Sequence, residues 1–181
     1  MMVNPLVTVL MTVYNGAEYL NASVQSVFNQ TFEGFEFLII NDCSTDDSVK
    51  IIRSFNDKRV TIHNNEKNLG QTKSLNIGLK LVKGKYVARM DADDISLPRR
   101  FEKQINYMVK EDLDICGTFI ESFDKNTSFG VTSYPEKDED IRFVLMFMTS
   151  FAHPSVIIKR TVFNNLKYKN YKYAEDFKLW I

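Results

Sequence analysis

Residues 85–98 read KYVARMDADDISLP, a segment of strand length that runs without a break into a cluster of aspartates. Lys85 to Met90 has strand character, Asp91-Ala92-Asp93-Asp94 follows at once, and Ser96 with Pro98 opens a helix bearing Phe101, Ile105 and Met108 at helical spacing. The same alternation occurs three times upstream. Leu6 to Val13 is a nearly continuous apolar run, after which Asn15 and Glu18 form a capping-box pattern ahead of Leu20, Val24, Val27 and Phe28. Phe35 to Ile40 repeats the strand signal, residues 41–47 supply a turn with cap residues, and Val49, Ile52 and Phe55 mark a helical stripe. Val60 to His63 is a third short strand; Gln71 to Val82 carries Leu75, Leu79 and Val82 on one side, and Gly84 reads as its C-terminal cap. Four successive strand–helix units predict an α/β fold: a doubly wound, Rossmann-like, mostly parallel sheet flanked by helices.

Beyond these units the pattern loosens. Leu113 to Phe119 reads as a strand, Asp124 to Lys137 as a polar loop, Ile141, Val144, Leu145 and Met148 as a helical face, and Val156 to Lys159 as a further strand. Tyr173 to Ile181 begins a helix that stops before any cap or breaker, so the chain reads as cut there, with Tyr168 to Tyr173 frayed. With 181 residues, 44% hydrophobic, and no repeat or linker-like shift in composition, residues 1–181 are expected to form a single domain. Lys plus Arg and Asp plus Glu balance at 23 each, which leaves no basic field to hold nucleic acid. Cys43 and Cys116 are far apart and lack metal-ligand spacing, in keeping with a reducing compartment. The apolar N-terminal stretch is too short to span a bilayer and has no basic leader region, so a cytoplasmic location is expected.

In open α/β sheets ligands bind beyond the carboxyl ends of the strands, here Tyr14-Asn15, Asn41-Asp42 and Asp91 to Asp94. Neither of the common glycine-rich phosphate loops is present. On an extended segment Asp91 and Asp93 would project to one side and Ala92 and Asp94 to the other. Two carboxylates on one spot repel unless a cation lies between them, and Mg²⁺ or Mn²⁺ held by one or two carboxylates keeps positions open for phosphate oxygens. Capping of a strand-to-helix turn is the alternative for these aspartates, an Asx turn for Asp42, and a core-edge ring for Tyr14.

In one order the chain carries VTVLMTVYNG, LIINDCSTD, NLGQTKSLNIGL, YVARMDADDISLPRRFEKQ, HPSV and AEDFKLW, and from about Val7 to Trp180 it resembles the family 2 glycosyltransferases of GT-A fold. The resemblance implies metal-dependent transfer, with inversion, of a sugar from a nucleotide diphosphate donor, a UDP-sugar being favoured. The acceptor would be a hydroxyl of a glycan or a lipid-linked molecule in cell-surface polysaccharide synthesis. Thr12, Val13, Tyr14 and Asn15 would line the base pocket and Asp42 would accept a hydrogen bond from the base. Asp91, with Ala92 beside it, would approach the ribose or the metal, and Asp93 would coordinate the metal. Asn68, Gly70 and Lys73 match the segment that closes over the nucleotide, and Asp176 matches the general base, with helix N-capping as its alternative. His153 of HPSV is a candidate metal or phosphate contact, or else satisfied by local hydrogen bonds. Cys43 stands where the family often has Gly, so strain is expected there if the turn needs positive φ.

Two other readings stay open. One is a nucleotide-sugar-binding domain without catalysis. The other is a phosphoaspartate receiver, whose acidic pair would be expected after the first strand, where this chain has Tyr14-Asn15. Cations and aromatics between Tyr168 and Tyr173 would suit peripheral contact with the inner face of a membrane, or else form a solvated edge.

Overall fold

The structure, a computed structural model, describes residues 5–124, 127–171, 174 and 176–180. Four strands, β1 (Val7–Val13), β2 (Phe35–Asn41), β3 (Val60–Asn64) and β4 (Tyr86–Met90), alternate with α1 (Ala17–Phe28), α2 (Ser48–Ser54), α3 (Gln71–Leu81) and α4 (Arg100–Lys110). They are followed by β5 (Ile115–Cys116), β6 (Ile120–Asp124), β7 (Thr127–Thr132), α5 (Asp138–Val144), β8 (Ile157–Lys159) and α6 (Phe177–Trp180). The main sheet has the order β3-β2-β1-β4-β8-β5. Its first four strands are parallel, whereas β8 runs antiparallel to both β4 and β5.

Strand alternation divides the core in two. Val7, Val9, Met11 and Val13 of β1, with Phe37, Ile39, Ala88 and Met90, meet Leu20 and Val24 of α1, Ile52 of α2 and Phe101 of α4. Leu10, Leu38, Ile40 and Val87 face the opposite way, toward Leu75 of α3, Tyr168 and Leu179. Full burial of each large apolar side chain contributes about 1.5–3 kcal/mol, so strands covered on both faces read as continuous apolar runs.

Several local expectations are corrected. Gly84 is not a left-handed cap, since α3 ends at Val82 in extended conformation and Gly84 has no positive φ. What it needs is room: a Cβ there would lie 2.5 Å from the backbone N of Thr8. Helix α4 starts at Arg100 rather than near Ser96, because Gln30 Nε2 binds the carbonyls of Ser96 and Leu97 while its Oε1 accepts the Phe101 N–H. Only two residues of the predicted strand at Leu113 to Phe119 pair, as β5. Within the predicted polar loop of Asp124 to Lys137 lies β7, which pairs with β6 as a separate hairpin. Its residues from Glu121 onward are exposed on both faces, and a register shift at Ser122/Phe123 breaks the period, so no apolar alternation announces it. Tyr168 is not frayed: it is buried, and the Asn76 side chain clamps its backbone N–H and C=O at 3.1 and 2.9 Å. Tyr173, Glu175 and Ile181 of the predicted terminal helix lie outside the described residues. No helix among the described residues is long and apolar enough to cross a membrane.

Candidate active site

The carboxyl ends of β1, β2 and β4 lie side by side, with Val13 in register with Asn41 and Met11 with Met90. Beyond them opens a cleft of about 510 Å³ lined by Thr12 to Gly16, Tyr19, Asp42, Gln71 and Asp91 to Asp93. The predicted Asn15/Glu18 box does not form. Instead the free N–H groups of Asn15, Gly16 and Ala17 at the start of α1 are met by Ser44 Oγ and Asp46 Oδ2 of the β2–α2 loop and by Ser48 Oγ at the start of α2, at 3.0–3.1 Å. Asn15 Oδ1 in turn accepts the Thr45 N–H at 2.8 Å. Two strand-end loops are thereby tied together, leaving the Tyr14 ring half exposed at the cleft.

Asp42 is 3% exposed. Its Oδ1 accepts from Asn65 Nδ2 at 2.7 Å and from the Leu69 N–H at 2.9 Å, and Oδ2 from the Gly70 N–H at 2.8 Å. Burial pushes the carboxyl upward, but the bonds from Asn65, Leu69 and Gly70 outweigh it and hold the group below the ordinary carboxylate range. Asp42 thus anchors the segment that carries Asn68, whose Oδ1 also accepts the Gly70 N–H, and Gly70 itself, whose φ of 84° precedes α3. Lys73 stands exposed on the first turn of α3. Cys43 has a φ of 64°, so a residue with a Cβ occupies the left-handed region where strain was anticipated.

After Asp91 the chain turns, with the Asp94 N–H directed to the Asp91 carbonyl at 3.5 Å. Asp91 and Asp93 line the cleft and Asp94, half-buried, does not, as the alternation predicts; Ala92 departs from it by lining the cleft as well. Burial, reinforced by the charges of Asp91 and Asp93, pushes Asp94 up to about 6. Asp91 Oδ1 pairs with Arg89 Nη2 at 2.6 Å and receives a longer contact from Gln71 Nε2 at 3.3 Å. Asp93 is exposed. Among the described residues no three His, Cys, Asp or Glu side chains converge, so no all-protein metal cage exists. The donors present, Asp93 and the second oxygen of Asp91, fit the mode in which Mg²⁺ or Mn²⁺ takes one or two carboxylates and completes its shell from phosphate and water.

Asp176 stands at the start of α6, its carbonyl accepting the N–H groups of Leu179 and Trp180 at 2.8 and 3.2 Å. His153 Nε2 is engaged by the Tyr168 hydroxyl at 2.9 Å, and its ring packs against Tyr168 and Trp180. Burial, with the nearby charge of Arg89, pushes its pKa down to about 2. Among the described residues the hydrogen-bond partner of His153 is the Tyr168 hydroxyl, the local bonding that the sequence offered as its alternative role. Tyr19, Asn65, Gln71 and Arg89 were not singled out from sequence. Only Arg89 carried a signal: a charge in an apolar strand two residues before Asp91, hence on the same side.

The sequence model described as Glycosyl transferase family 2 matches residues 8–167. The chain is 37% identical to an uncharacterized glycosyltransferase of Haemophilus influenzae over 191 residues, covering 97% of this chain and 59% of that protein. It is 36% identical to the O-antigen biosynthesis glycosyltransferase WbnJ of Escherichia coli over 186 residues, covering 97% of this chain and 70% of WbnJ. Residues 1–349 of S. aureus TarS, solved in complex with UDP-GlcNAc, superimpose with a TM-score of 0.81 at 20% identity over 96% of this chain and 52% of that one. The chain therefore spans about half of residues 1–349 of TarS and 59% of the Haemophilus relative, and the structural likeness supports the GT-A type of fold. Four parallel strand–helix units, an acidic cleft at their carboxyl ends and a family match over nearly the whole chain converge: this protein belongs to glycosyl transferase family 2.

Proposed function

We propose that this chain carries the donor site of an inverting glycosyltransferase that moves a sugar from a nucleoside diphosphate, UDP being favoured, to an acceptor hydroxyl in polysaccharide assembly. The observation that carries the reading is the cleft in which Thr12 to Gly16, Asp42 and Asp91 to Asp93 face one space in a family 2 chain. Support for UDP comes from the UDP-GlcNAc complex of TarS, and for polysaccharide assembly from the O-antigen role in the name of WbnJ.

In this reading the base lies along Thr12, Val13, Tyr14 and Asn15, with the half-exposed Tyr14 ring as a stacking face. Asp42 Oδ1 is saturated by two donors, whereas Oδ2 has one and keeps a lone pair for a base N–H. Asn68, Gly70 and Lys73 close over the nucleotide. Asp91, restrained by Arg89, faces the ribose, and Asp93 with the free oxygen of Asp91 would hold a divalent cation. When bound, that cation neutralises the diphosphate and eases its departure. Asp176 takes the proton of the acceptor hydroxyl; as the new C–O bond forms, the bond to the diphosphate breaks on the opposite face, which inverts the anomeric carbon.

Asp176→Asn is expected to retain UDP binding while transfer falls by about 10²–10⁴-fold, the usual worth of a general base. Measured turnover near that of the parent would remove Asp176 from the mechanism. Tight UDP binding without transfer from any nucleotide sugar would favour a binding domain.

A further inference from the structure

Arg89 lies in the middle of β4, and its side chain is 3% exposed. One of its nitrogens, Nη2, meets Asp91 Oδ1 at 2.6 Å. The other two, Nε and Nη1, are buried and have no hydrogen-bond partner among the described residues. A buried donor left unpaired costs about 1–3 kcal/mol, and a buried charge is poorly repaid by a single counter-ion. By stability alone an apolar residue would serve better in a strand whose neighbours Val87 and Ile158 are buried. The guanidinium therefore earns its place through what it does to Asp91. That carboxylate is 26% exposed at the cleft, and without Arg89 it would be free to rotate and hydrate.

We propose that Arg89 is a positioning residue for the donor site: it fixes the rotamer of Asp91 from beneath the cleft, so that one carboxylate oxygen is held by the protein and the other is presented to the cleft. The inference rests on the donor-site reading above and adds to it a residue that does not touch the ligand. Gln71, which reaches the same Oδ1 at 3.3 Å from the first turn of α3, is the lesser partner in this restraint.

The test is a double-mutant cycle on UDP affinity, measured by calorimetry with Mn²⁺ present, in the wild type, Arg89→Met, Asp91→Asn and the double variant. Arg89→Met is expected to weaken UDP binding about tenfold, the worth of a charge-assisted hydrogen bond. Its melting midpoint should stay within about 5 °C of the parent, because Asp91 can rehydrate. In the Asp91→Asn background, loss of Arg89 should change affinity less than twofold. Arg89→Lys keeps the charge but not the fork and should bind between the two; it carries the test if Arg89→Met does not fold. Unchanged affinity in a folded Arg89 variant, or effects that simply multiply in the double variant, would overturn the inference and leave the donor site standing. A wild type that binds no nucleoside diphosphate would overturn the donor site itself.

Discussion

The strand-end cleft and the segment from Ile120 to Met148 are built on opposite terms. Around the cleft nearly every loop is tied to another: Asn15 to Thr45, Gly16 to Ser48, Ala17 to Asp46, and Asp42 to Asn65, Leu69 and Gly70. In the later segment α5 buries no residue, and Phe123, Phe129, Phe143, Met146, Phe147 and Met148 are all at least half exposed. Order at the cleft thus comes from polar groups that satisfy one another, while the later segment holds large apolar groups that contribute little to the core. The contrast teaches that outside the core hydrophobicity alone is a poor guide to which side chains carry stability.

The sharpest way to break that contrast is at Asp42. Asp42→Ala strands the Leu69 N–H and an Asn65 donor and leaves the Gly70 N–H to Asn68 alone, and charge-assisted bonds of this kind are worth about 1.5–3 kcal/mol each. A loss of at least about 3 kcal/mol by urea denaturation is expected, together with loss of UDP affinity; a change below 1 kcal/mol would show that the loops hold without it. An intermediate effect is expected at His153, and it depends on pH. In the unfolded chain an imidazole takes up a proton near pH 6.5, whereas in the fold His153 stays neutral down to about 2. Its stabilising contribution is therefore complete above pH 6.5 and drains as the pH falls, by about 2 kcal/mol between pH 6.5 and 5. His153→Phe should flatten that part of the stability profile, and a slope equal to the parent's would place the acid sensitivity elsewhere. The smallest effect belongs to Phe147→Ser, expected to alter stability by less than about 0.5 kcal/mol despite removing an aromatic ring. A cost above 2 kcal/mol would mean that the later segment carries load that its exposure does not show.

The same contrast decides how much could be read from sequence. Val7–Val13, Phe35–Asn41 and Tyr86–Met90 were legible because strands buried on both faces must be apolar throughout, and their helices followed from stripes such as Leu20, Val24 and Val27. The hairpin of β6 and β7 was not, because a ribbon solvated on both faces places no demand on alternation. At the site, proximity to strand ends located Tyr14, Asp42 and Asp91. The partners that shape it stayed hidden: Asn65 follows the end of β3 but bears no charge to mark it, and Gln71 arrives on the first turn of α3. The strand rule placed Asp91 and Asp93 together and Asp94 apart, but the turn after Asp91 brings Ala92 into the cleft as well.

The most direct measurement is a calorimetric titration of UDP into the wild type and into Asp93→Ala, each with and without Mn²⁺. The account predicts binding by the wild type that strengthens with the ion, and no such gain in the variant. Equal affinity in both proteins, whether or not the ion is present, would contradict it.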